Sequence, residues 1–264
     1  MKASATSDLY IRIKRFRGLI LACVVLILVS VILFTGYGAP LRGMLIRRLD
    51  AVAIKRVQSL AQWETVEYDN HWQGVRMLQY PSDLVAYENI IFDTEPDFIV
   101  ETGTYYGGMT LYLATLLDCR NGAGTVISVD IDGSMWDRTR QATKIKESIL
   151  GRITFINGSS TAASVYASIA KLVAGHSVLV ILDSNHAKPH VVSELNLYSN
   201  LVKVNGYILV NDTHIDNTVF SGNQPGPLAA VKEFLSTHPD FRIDRSRDRY
   251  FLSCVHSGFL KRIR

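Results

Sequence analysis

Cysteine is scarce in this chain: Cys23, Cys119 and Cys254 are the three among 264 residues, and no two have C-x-x-C spacing. That excludes a disulfide framework and a zinc ribbon, both of which need clustered thiols. The three read as small buried residues. Excess charge is lacking as well. The formal net charge is +4, with many basic residues near the N-terminus, so no nucleic-acid surface is expected. Charge of either sign is absent from Leu19 to Thr35, LILACVVLILVSVILFT. With Gly18 and Gly36-Tyr37 at its ends, a helix over this run spans about 26 to 30 Å, enough to cross a bilayer. The run is longer than the apolar core of a cleaved leader and no clean A-x-A site follows it, so a transmembrane helix is expected over 18–37. Orientation is not encoded in charge. Lys2, Arg12, Lys14, Arg15 and Arg17 precede the span, and Arg42, Arg47, Arg48, Lys55 and Arg56 follow it, a balance that gives the positive-inside rule nothing to act on.

The rest divides into a basic segment over 1–17, a juxtamembrane segment over 38–71 and one α/β domain over 72–264. Within the second, Leu41, Leu45, Ile46, Leu49, Val52 and Ala53 recur at helical spacing among Arg42, Arg47, Arg48 and Lys55. This describes a basic amphipathic helix that rests on lipid headgroups or packs against the folded domain. Residues 63–80 show no clear period, and Ser82 is expected to cap a helix from Asp83 to Phe92.

The domain is organised around Phe98 to Thr110, FIVETGTYYGGMT. A β-branched apolar run ends at Glu101 and breaks into a glycine turn before an apolar helix, the arrangement that presents backbone N–H groups to nucleotide-like ligands. From Gly103 the spacing is G-x-x-x-G-G rather than G-x-G-x-x-G, with an acid two residues before the first glycine. That suits S-adenosylmethionine better than NAD. Gly103, Thr104, Gly107 and Gly108 are expected to let the methionine end approach the main chain, with Glu101 accepting from its ammonium or from the turn.

Strand and helix signals then alternate: FIVET, a helix after Gly108, TVISVDI, a helix over 136–150, ITFING, a helix over 162–174, SVLVILD, a helix over 191–201 and GYILVND. A helix over 228–237 follows, with FRID and RYFLSCVH as a closing pair that includes an antiparallel edge strand. The expected fold is a Rossmann-like, doubly wound, mostly parallel sheet. Its chemistry belongs at the strand ends. Asp130, 27 residues after Gly103, stands where such folds place a ribose-binding carboxylate, with Asp132 as the alternative. Ser159 and Ser160 follow the third strand, where an adenine edge would lie. Asp183 with His186, and Asn211 with Asp212, end the fourth and fifth strands. Two carboxylates and an amide oxygen suit a hard cation such as Mg²⁺, whereas Asp183, His186 and His214 would suit iron. His186, three residues after Asp183, is a candidate general base with an unperturbed pKa near about 6.5.

QYPSDLVAYENIIFDTEPDFIVETGTYYGG, LDSNHAKPHVVSELNLYSNLV, GPLAAVKEFLSTHPDF and SGFLKR, in that order, resemble the cephalosporin hydroxylase and rhamnosyl O-methyltransferase family over residues 72–262. The resemblance implies a class I methyltransferase fold, S-adenosylmethionine, a divalent metal and a hydroxyl acceptor of glycosyl type, while the apolar span and the basic amphipathic helix add a lipid-linked acceptor to the expectation. It also implies Glu101, Gly103 and Asp130 at the cofactor, and Asp183 and Asp212 at the metal. Relatives commonly read E-D where this chain has Asn211-Asp212, which puts metal affinity in doubt. Catalysis would be in-line attack of the acceptor oxygen on the sulfonium methyl, with Asp183 and His186 as catalytic residues. Because the methyl donor is made in the cytosol, the domain is expected on the cytosolic face of a single-pass membrane protein. Iron-type hydroxylation, a non-catalytic binding domain and assembly into an oligomer stay open.

Overall fold

A computed structural model describes residues 70–120, 124–142, 144–217, 225–250 and 252–264. The expected span over 18–37, the basic segment 1–17 and nearly all of 38–71 lie outside the described residues. Among those described, no helix is long and apolar enough to cross a membrane.

The described chain opens on a hairpin of β1 (Asn70–Trp72) and β2 (Val75–Met77), which the sequence reading did not anticipate. Its turn is Gln73-Gly74, with φ of 51° and 82°. Two successive positive φ values give the tight turn that matches strand twist, and the Gln-Gly pair is its only signal in a run too short for a period to emerge. α1 (Pro81–Thr94) follows. It starts at Pro81, which needs no N–H bond at that position, rather than behind a Ser82 cap. The Ser82 hydroxyl instead donates to the Leu252 carbonyl.

Then come β3 (Phe98–Thr102), α2 (Gly108–Cys119), β4 (Thr125–Asp130), α3 (Ser134–Ala142), α4 (Glu147–Leu150), β5 (Ile153–Asn157), α5 (Ala163–Leu172), β6 (Val178–Leu182), α6 (Lys188–Tyr198), β7 (Tyr207–Val210), α7 (Pro227–Thr237), β8 (Phe241–Ile243) and β9 (Phe259–Arg262). The single helix expected over 136–150 is two, because the break at an extended Lys146 lets both Ile145 and Ile149 join the core. The described residues of the expected strand RYFLSCVH form no strand. Its polar groups bind elsewhere: Cys254 N–H donates to Asp83 Oδ2 at 2.7 Å, and the Cys254 carbonyl accepts from Thr213 N at 3.0 Å. β9, five residues further on, closes the sheet. Cys254 is buried as expected, whereas Cys119, at the end of α2, is exposed.

The seven-stranded sheet has the order β5-β4-β3-β6-β7-β9-β8, parallel except that β9 runs antiparallel to β7 and β8. Apolar cores cover both faces. Ile99, Ile181 and Leu209 face one with α1, α2 and the hairpin, and Val100, Val180 and Ile208 face the other with α5, α6 and α7. The alternation is the period-2 geometry of a strand, and the strands read as unbroken apolar runs because both faces are covered. Successive strands step outward from β3 in one direction and from β6 in the other. A crevice therefore opens between β3 and β6 at their C-terminal ends, where α/β sheets bind ligands.

Candidate functional site

A cavity of about 470 Å³ occupies that crevice, lined by Gly103 to Met109 from the turn, Asp130 and Ile131 after β4, Gly158 to Ser160 after β5, Asp183 to His186 after β6, Asp212 after β7, and Arg76 to Gln79 from the hairpin. Its size is that of an ordinary small-molecule site.

The glycines of the turn serve protein contacts first. Gly103 has φ 90°, its N–H donates to the Val129 carbonyl at 2.8 Å, and a Cβ there would lie 2.0 Å from the Asp183 carbonyl oxygen. A Cβ on Gly107, at φ 84°, would sit 2.3 Å from the Trp136 ring, and one on Gly108 would sit 2.2 Å from the Arg76 carbonyl oxygen. Close approach was expected to be to a ligand. The space is instead taken by β6, α3 and the hairpin, which brings the backbone of the turn flush with the cavity wall.

Asp130 holds the turn in place. Its Oδ2 accepts from the backbone N–H groups of Thr104 and Tyr105 at 2.9 and 2.8 Å, and Oδ1 accepts from Asp132 N at 3.1 Å. Asp132, the alternative ribose acid, caps α3 through Ser134 N at 2.9 Å and lies outside the cavity lining. Those bonds hold its pKa below the usual carboxylate range.

Glu101 lies beneath the turn, 1 % exposed and outside the cavity lining. Its Oε2 accepts from the hydroxyls of Thr110 and Ser128 at 2.5 and 2.6 Å. Burial, against those bonds, pushes its pKa up to about 8. The structure does not bring it to a ligand's ammonium; it ties β3, α2 and β4 together.

On the other wall, Asp183 and Asp212 converge. Asp183 Oδ2 accepts from the side-chain amides of Gln79 at 2.9 Å and Asn211 at 2.8 Å. His186 Nε2 lies 2.9 Å from Asp212 Oδ2 and 3.8 Å from Asp183 Oδ1. One ligand atom from each of Asp183, His186 and Asp212 falls within 4.8 Å of the others. Burial raises Asp183 to about 6, partly offset by His186. Burial draws the His186 ring down, but the two carboxylates more than offset it and lift its pKa to about 11. Asp212 is pushed up by burial and pulled further down by His186. The proton therefore rests on His186 at neutral pH, an imidazolium between two carboxylates rather than the unperturbed base expected from sequence.

Asn211 is 1 % exposed and lies outside the cavity lining. Its Oδ1 accepts the Tyr87 hydroxyl at 2.5 Å and its NH₂ donates to Asp183. One lone pair of the oxygen expected to ligate a metal is engaged by Tyr87, while the amide nitrogen orients Asp183. His214, 1 % exposed, groups with Asp212 and Cys254 rather than with Asp183 and His186, so the iron set drawn from sequence does not assemble. Ser159 and Ser160 do line the cavity. Sequence reasoning missed Gln79 and His190: the first sits just past the short hairpin in an aperiodic run, and the second lies within LDSNHAKPHVVSELNLYSNLV, a stretch that carried the resemblance without marking this ring as a site residue.

The family model described as Rhamnosyl O-methyltransferase/CmcI matches residues 64–263. A Rhamnosyl O-methyltransferase of Mycobacterium leprae is 27% identical over 228 residues, covering 83% of this chain and 94% of that protein. One of Mycobacterium tuberculosis (strain H37Rv) is 28% identical over 197 residues, covering 72% of this chain and 77% of that protein. A solved structure described as cmcI-D160 Mg-SAM superposes with a TM-score of 0.57 at 21% identity, covering 74% of this chain and 77% of that one, a likeness of fold. The chain belongs to the Rhamnosyl O-methyltransferase/CmcI family.

Proposed function

We propose that this protein is an S-adenosylmethionine-dependent, Mg²⁺-assisted O-methyltransferase acting on a hydroxyl of a glycosyl or lipid-linked acceptor. The observation that carries the reading is the meeting of Asp183, His186 and Asp212 in the same cavity as the Gly103 turn and Asp130. Family membership and the names of the relatives support the reaction class and a sugar acceptor.

The residues present fit both groups. Two carboxylates that draw a proton onto His186 form a site seeking positive charge, and their hard oxygens suit Mg²⁺. Asp130 Oδ1 accepts one backbone N–H and keeps a lone pair for a ribose hydroxyl. Ile131, 75 % exposed at the cavity, offers an apolar face to a base. When bound, the sulfonium supplies an electrophilic methyl and the divalent cation lowers the pKa of the acceptor hydroxyl. Asp183 and Asp212 would hold that cation at the cavity wall, with Gln79 and Asn211 fixing Asp183. With Asp183 and Asp212 compensated by a cation in place of the imidazolium, the neutral His186 Nε2 would be the group positioned to accept the acceptor hydroxyl's proton. The Thr104 and Tyr105 amides fix Asp130, so the chain's main contribution is orientation.

The proposal extends to a single-pass anchor over 18–37 with the domain on the cytosolic face, supported by the uncharged run at 19–35 and the basic amphipathic pattern after it. An anchor would hold the active site near an amphipathic acceptor and raise its effective concentration. The test is transfer of labelled methyl from the donor to membrane extracts, with and without EDTA. EDTA-sensitive label on a glycolipid is the expected result; label on small soluble phenols alone would overturn the acceptor. Protease protection of the domain in sealed vesicles would reverse its side.

A further inference from the structure

At the ends of β5 and β6 the cavity wall carries a second polar cluster that the chemistry above does not use. Glu194, on α6, is 1 % exposed; its Oε1 accepts the Ser184 hydroxyl at 2.7 Å, and its Oε2 has no hydrogen-bond partner among the described residues. His190 Nε2 lies 3.1 Å from Ser160 Oγ, 3.2 Å from Ser184 Oγ and 3.5 Å from Glu194 Oε1. Ser160, Ser184 and His190 line the cavity, and Glu194 stands behind them.

The directions of these bonds follow from the carboxylate. A carboxylate only accepts, so Ser184 gives its one hydrogen to Glu194 and receives at its lone pair the hydrogen on His190 Nε2. A neutral imidazole carries one N–H, and the bond made by one ring nitrogen decides the state of the other. In the neutral ring His190 Nδ1 is then a lone-pair acceptor, and no described protein group bonds it.

We infer that His190 Nδ1 reads the purine of the methyl donor by accepting from the exocyclic amino group of adenine, an assignment that rests on the donor reading above. The buried Glu194 acts at a distance: through Ser184 it sets the tautomer that makes the ring an acceptor. A 6-oxo purine presents an oxygen in place of that amino group. Two acceptors then face each other, and the site rejects the base.

The experiment measures calorimetric affinities of the full-length chain for S-adenosylhomocysteine and for its deaminated analogue, S-inosylhomocysteine. The wild type is expected to favour the adenine form by roughly tenfold or more. His190→Ala should bring the two affinities within about threefold of each other. Ser184→Ala, which frees the ring hydrogen to move to Nδ1, should narrow the preference with His190 still in place. A purely structural His190 would weaken both ligands equally and leave the ratio unchanged. Equal wild-type affinities, or an undiminished preference in folded His190→Ala, overturn the assignment. Failure of the folded wild type to bind S-adenosylhomocysteine overturns the donor reading and this inference with it, so the two failures are distinct.

Discussion

The two walls of the cavity are built on opposite principles. The β3–β4 wall is main chain: Gly103, Gly107 and the Thr104 and Tyr105 amides, clamped by one carboxylate and closed by neighbouring elements. The β6–β7 wall is side chain: Asp183, Asp212 and His186, held by the amides of Gln79 and Asn211. The first wall depends on shape, so its mutants should lose structure. The second depends on a balance of buried charge, so its mutants should lose function or change their response to pH and cation.

The largest effect is expected from Gly103→Val. Its Cβ would lie 2.0 Å from the Asp183 carbonyl oxygen at a φ of 90°, so the change should cost more than about 3 kcal/mol and displace both walls together. Urea denaturation and donor titration read it. A variant of wild-type stability that had lost only donor binding would return the glycine to the ligand-approach role expected from sequence.

Next is Asp212→Ala, on the charged wall. It removes the partner 2.9 Å from His186 and one of the two acids, and should lower turnover by on the order of 10³-fold and abolish sensitivity to EDTA. Its melting temperature should move far less than that of Gly103→Val. Residual activity that still responds to Mg²⁺ would remove Asp212 from the metal site.

Glu101→Gln tests what lies beneath the turn. With its folded pKa raised to about 8, well above the ordinary glutamate range, Glu101 binds its proton more tightly folded than unfolded. Its contribution is then fully present below the unfolded value and lost as pH rises towards about 8, so wild-type stability should fall across that window. Gln keeps acceptors for Thr110 and Ser128 and cannot ionise, so the variant should flatten this part of the slope by a few kcal/mol. Denaturation midpoints from pH 5 to 8 check it. Parallel profiles for the two proteins would mean that Glu101 is ionised at little cost.

The smallest change is Asn211→Asp. It introduces a third acid beside Asp183 and Asp212 and removes the amide donor 2.8 Å from Asp183 Oδ2. Without cation, Tm should drop by roughly 2–4 °C, and Mg²⁺ should recover it while binding more tightly than to wild type. A drop that Mg²⁺ fails to relieve would mean that position 211 cannot take part in cation binding.

Much of this molecule was legible because its signals are local. The strands from FIVET to GYILV are apolar runs between turn residues, and the glycine turn, Asp130, Asp183 and Asp212 each end one of them, so strand alternation alone put them on one edge. Errors arose where a residue's partner is distant in sequence. Ser82 looked like a cap until Leu252 took its hydroxyl, RYFLSCVH looked like a strand until Asp83 and Thr213 took its backbone groups, and the Gln-Gly hairpin was too short to show a period.

Sequence by itself determined the order of elements, the parallel sheet and the residue types at its C-terminal edge, since hydrophobic periodicity and chain connectivity act over a few residues. Tertiary structure decided what each polar group does. Glu101 faces Thr110 and Ser128, Asn211 gives its oxygen to Tyr87, and His186 holds a proton between two acids. A hydrogen bond or a pKa depends on which groups lie within a few ångströms and on how far water is excluded, and both are set by contacts between segments that the linear order keeps apart.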